Sequence, residues 1–88
     1  MSVDGVIAET ILRLVTERGP TKSICPTEAA RALAPEAWRS RLSDIRRVAA
    51  DLARDGRIDI VRKGRAIDPA LLHGVIRLRL RGPGTAGE

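Results

Sequence analysis

The chain has one Trp, no Tyr and no Phe among its 88 residues, together with one Cys and one His. RNA-recognition sheets and oligonucleotide-binding barrels stack bases on several exposed rings, so the count argues against those folds. A disulfide framework needs paired cysteines, and a structural zinc site needs about four Cys or His ligands. Neither can be built. No stretch approaches the ~20 apolar residues of a membrane span, so no membrane partner is expected. Met1-Ser2-Val3-Asp4 has no basic region ahead of an apolar run, so no secretory signal is read there. With the lone Cys25, this fits a reducing cytoplasm.

What the chain does have is positive charge. Lys and Arg number 16 against 11 Asp and Glu, a net charge of +5. At 43% hydrophobic residues it can form a compact core, and its length suits one small domain. Arg accounts for 14 of the 16 basic residues. Its planar fork suits phosphate, although GC-rich coding produces the same bias. The charge is unevenly placed. Residues 1–60 carry 10 basic and 9 acidic groups, whereas residues 61–88 carry 6 and 2.

Apolar periodicity gives the elements. Ile7, Ile11, Leu14 and Val15 share one face of a helix from Asp4 to about Arg18, capped by Ser2 or Asp4 and closed by Gly19-Pro20. Lys22–Cys25 reads as a brief extended strand. A second helix opens at Pro26, with Glu28 in its first turn, and stops at Ala34-Pro35. The longest helix is expected over Pro35–Asp55, with a seam of Trp38, Leu42, Ile45, Ala49 and Leu52, ended by Gly56. The period then changes to two. Arg57–Arg62 reads as a half-buried strand, Lys63-Gly64 as a turn, and Arg65–Ile67 as a short return strand. A helical turn at Leu71–Gly74 precedes a last strand, Val75–Arg81. Its Ile76, Leu78 and Leu80 face one way and Arg77, Arg79 and Arg81 the other. Residues 82–88 are expected to be a disordered tail after a domain over residues 1–81.

This order predicts an α+β winged helix-turn-helix, three helices with a small antiparallel sheet. The alternatives are a three-helix bundle without an ordered sheet and another small α+β arrangement. The segment Cys25-Pro26-Thr27-Glu28-Ala29-Ala30-Arg31, followed by Trp38-Arg39, resembles a family of small bacterial domains of unknown function. Ile45-Arg46, Gly56, Lys63-Gly64 and Gly74-Val75-Ile76-Arg77 extend the likeness over nearly all the chain before the tail. The resemblance implies a winged-helix fold and brings no activity or binding residue with it.

In a winged helix the third helix enters the major groove and the wing meets the backbone or minor groove. The candidate contacts are therefore Arg39, Ser40, Ser43, Arg46, Arg47 and Arg54 on the helix, with Arg62, Lys63 and Arg65 at the hairpin turn. Each has an ordinary structural reading. Arg47 sits one turn before Asp51 and can form a surface pair with it. Arg39 and Arg46 can brace the second helix through Glu28. The Arg77-Arg79-Arg81 stripe suits a solvated sheet face as well as phosphate. Trp38 begins the apolar seam and reads as core. Cys25, at a helix start, reads as a small filler or cap residue, and His73 as a turn residue. No catalytic, metal or cofactor constellation is present in the pattern. The expected partner is double-stranded DNA, and a role in transcription regulation is compatible with it. The competing reading is a protein-interaction module without nucleic acid, a homodimer paired through the first helix or the final strand.

Overall fold

The computed structural model describes residues 3–71 and 74–81. His73, the Ser2 cap and the expected tail at residues 82–88 lie outside them. Three helices come first: α1 (Val3–Arg18), α2 (Pro26–Leu33) and α3 (Trp38–Arg54). Strands β1 (Ile58–Arg62) and β2 (Arg65–Ala66), a 3₁₀ turn (Pro69–Leu71) and strand β3 (Arg77–Leu80) complete the order. This is the winged-helix class of α+β fold.

Local chemistry sets the boundaries. Gly19, at φ +91°, takes the left-handed position that ends α1. Pro26 occupies the start of α2, and the Glu28 carboxylate accepts the Cys25 N–H at 2.8 Å, satisfying a free donor of that terminus. The third helix begins at Trp38, not at Pro35 as the pattern suggested. Ala34 precedes a proline and is held at φ −147°, ψ 85°, so residues 35–37 form a turn before helical geometry resumes. At the other end, Arg57 N–H donates to Leu52 O and Gly56 N–H to Ala53 O, both at 3.0 Å, with Gly56 at φ +80°. That is a Schellman closure.

The sheet is antiparallel in the order β2-β1-β3. Arg62 opposes Arg65 across a two-residue turn whose Lys63 and Gly64 have φ +53° and +81°. Such a left-handed pair matches the twist of a tight hairpin. The short strand expected near Lys22 reduces to Ile24, which exchanges two 2.8 Å hydrogen bonds with Leu78 on the outer edge of β3. The final strand is thus hydrogen-bonded on both sides at Leu78. A 3₁₀ turn occupies Pro69–Leu71, where the Asp68 carboxylate accepts the Ala70 N–H at 2.9 Å, and the middle of the turn expected over Leu71–Gly74 lies outside the described residues.

Helices and sheet close over one core. Ile7, Ile11, Val15, Ile24, Ile45, Ile58, Ile60 and Leu78 are all under 2% exposed. Each such side chain contributes roughly 1.5–3 kcal/mol by leaving water. Trp38 and Leu42 flank this core, half-buried. Thr10 is buried on α1 with its hydroxyl donating to Val6 O at 2.9 Å. One expectation from alternation fails: Asp59, on the outer face of β1, is 5% exposed rather than solvated. Arginines from β3 lie across it.

Candidate nucleic-acid interface

The two shoulders of α3 have different neighbours. Ser40, Arg47 and Arg54 recur every seven residues and so share one flank. The Arg47 guanidinium grips Asp4 of α1 through Nη1–Oδ2 at 2.6 Å and Nη2–Oδ1 at 2.8 Å, and reaches Asp44 at 3.2 Å. It does not pair with Asp51, whose carboxylate instead takes Arg54 at 3.2 Å. The bidentate contact holds the Asp4 carboxyl below its ordinary value and raises the Arg47 guanidinium further. Ser40 Oγ donates to Ala37 O at 2.8 Å, within the first turn. These three side chains are occupied by the protein itself.

Arg39, Ser43 and Arg46 form the other shoulder. Arg46 Nη2 donates to Gly74 O at 3.0 Å, joining α3 to the segment that leads into β3. Arg39 lies over the Trp38 ring at 4.3 Å and Arg31 of α2 at 4.7 Å, two cation–π contacts on one indole. Ser43 is exposed. Neither Arg39 nor Arg46 braces Glu28. That carboxylate receives Arg18 at 2.7 Å, with Arg77 at 4.0 Å. Its carboxyl is held below the ordinary value, first by the Cys25 N–H and then by Arg18. Further along this shoulder Ala50 and Ala53 are buried, and the 3₁₀ turn packs on α3, so the accessible part is its N-terminal half.

The hairpin supplies the other cations. Lys63 and Arg65 are exposed and Arg62 half-buried, and no side-chain partner meets any of them among the described residues. The arginine stripe of β3 differs. Arg77 is fixed by Ser23, through Nε–Oγ at 2.6 Å and Nη2–O at 3.0 Å. Arg81 donates twice to Asp59 at 2.9 and 2.7 Å, with Arg79 at 3.5 Å. The stripe knits the sheet face together and is no open phosphate track.

Hairpin and shoulder meet at one place. A hollow between the Lys63-Gly64 turn and Gly74 has Val75 in its wall, and Val75 also borders a second hollow with Leu42, Arg46 and Thr27. Free cations of the hairpin and the Arg46 shoulder therefore flank the same short segment. Arg47 and Arg54 do not join them. Arg31 was not legible as part of this surface; only its stacking on Trp38 brings it beside Arg39. Among the described residues, no group of three His, Cys, Asp or Glu side chains is placed to hold a metal ion, and no helix is long and apolar enough to cross a membrane.

A winged helix with a basic hairpin set beside one shoulder of its third helix is the class of domain defined here. Within that class, the chain belongs to the family described as Protein of unknown function (DUF3253), which matches residues 4–81. No curated protein matches the chain.

Proposed function

We propose that this domain binds double-stranded DNA in the cytoplasm, in a role compatible with transcription regulation and without catalysis. The N-terminal half of α3 faces the groove with Arg39, Ser43 and Arg46. Arg62, Lys63 and Arg65 hold the adjacent backbone. The observation that carries this reading is the set of hairpin cations without carboxylate partners among the described residues, set beside the Arg46 shoulder. Elsewhere on the described surface many of the arginines are already paired with carboxylates. A polyanion engages unpaired cations first, because no internal partner must be displaced and counterions are released.

Fluorescence anisotropy with a labelled duplex tests it, with light scattering on the same samples. Binding that weakens steeply as salt rises is the expected result. A protein that ignores duplex at low salt, and scatters as a stable dimer, would instead be an interaction module.

A further inference from the structure

The hollow beside the hairpin turn has features that duplex binding does not require. It encloses about 430 Å³, within the roughly 300–1,000 Å³ range of small-molecule sites. Two valines give it apolar surface: Val61, which is 6% exposed, and Val75, which is 85% exposed. Its charged lining residues are all cations, Arg62, Lys63 and Arg77. Arg77 is held in place by Ser23, whereas Arg62 and Lys63 have no side-chain partner among the described residues. Arg77 has the Glu28 carboxylate at 4.0 Å on its other side, so the charge of Arg62 and Lys63 is the part left for an anion. Gly64 and Gly74 bring bare backbone to the same walls, and a Cβ built on either meets nothing within 4 Å.

We propose that this hollow binds a small organic anion, with its charged head among Arg62, Lys63 and Arg77 and an apolar body of about one ring against Val61 and Val75. The apolar body distinguishes it from free phosphate, and the vesicle arm of the test distinguishes it from a lipid headgroup. Because Arg62 and Lys63 also belong to the surface proposed for DNA, an occupant competes with a duplex. That consequence rests on the DNA reading, while binding of the anion does not.

The test is a titration of the isotope-labelled full chain with phenyl phosphate, followed by two-dimensional amide NMR. Inorganic phosphate and benzyl alcohol serve as the head and body alone, and anionic phospholipid vesicles as the lipid arm. The expected result is a saturable shift concentrated at Gly64, Gly74, Val61 and Val75, stronger for phenyl phosphate than for either half or for vesicles. Lys63→Asn keeps a residue that tolerates the left-handed turn, and should weaken phenyl phosphate about tenfold. Val75→Ser should weaken phenyl phosphate and leave inorganic phosphate unchanged. Shifts spread evenly over the surface arginines, equal responses to phenyl phosphate and inorganic phosphate, or no response at millimolar concentration would each overturn the proposal. So would a preference for vesicles. Since the titration contains no DNA, its failure would leave the duplex reading standing.

Discussion

At the residue scale, the partners of the arginines decide what each can do. Asp59 and Arg79 are opposed in the β1–β3 register, and Arg81 lies two residues further along, just past the end of β3. Their side chains cover the carboxylate, which explains why an aspartate on the outer sheet face is only 5% exposed. Removing it leaves two guanidinium groups that can still reach water. Asp59→Ala should therefore cost about 1–3 kcal/mol in a urea melt, with Asp59→Asn costing less. Glu28 gives a pH prediction. Its folded carboxyl binds a proton less readily than the unfolded one, because the Cys25 N–H and then Arg18 favour its charge. That stabilisation is complete above the ordinary glutamate value and is lost as pH falls through the depressed folded value. Glu28→Gln should flatten the acid limb of a stability–pH profile and leave the neutral region with the smaller change in slope. The long-range pairings could not be read from spacing. Arg47 and Asp4 lie 43 residues apart, and local sequence offered Asp51 as the nearer partner.

Elements were more legible than pairings. The 3.6 period located the α3 seam, and Gly56 and Lys63-Gly64 marked a helix end and a turn through the left-handed conformations that they adopt. What periodicity could not supply was the neighbour of each flank. Seven-residue spacing groups Arg47 with Arg54 and Arg39 with Arg46, but only the packed fold sets Arg47 against Asp4 of α1 and Arg46 against the Gly74 carbonyl, and leaves Arg39 on the Trp38 ring. The start of α3 was misplaced for a related reason, since proline permits either a first helical turn or a break and Ala34 adopts the break. Two predictions belong here. Gly56→Ala must hold a side chain at φ +80° with its Cβ 3.3 Å from Arg81 Nη1. It should cost about 1–2 kcal/mol by thermal or urea denaturation. In a duplex titration, Arg46→Ala should weaken binding several-fold, while Arg47→Ala should leave affinity nearly unchanged.

For the whole molecule, the excess charge and the geometry point to the same face. Residues 1–60 are almost balanced, and Arg18, Arg47 and Arg54 of the helices spend their charge on Asp4, Glu28, Asp44 and Asp51. The surplus beyond residue 60 divides in two. Arg77, Arg79 and Arg81 bind the sheet together, while Arg62, Lys63 and Arg65 at the hairpin have no side-chain partner among the described residues. Charge counting located the surplus but could not tell these two groups apart, because they share a composition and differ only in having Ser23 and Asp59 within reach. The most direct measurement is the salt dependence of duplex affinity for the wild-type chain and for Arg62→Ser/Lys63→Asn/Arg65→Ser, on one duplex and at matched pH. Each lost phosphate contact should lower the slope of log K against log salt by about 0.9, so the triple variant should lose roughly two to three units of slope and bind all sequences more weakly. Equal slopes for the two proteins would contradict the account, because the hairpin cations would then take no part in holding the polyanion.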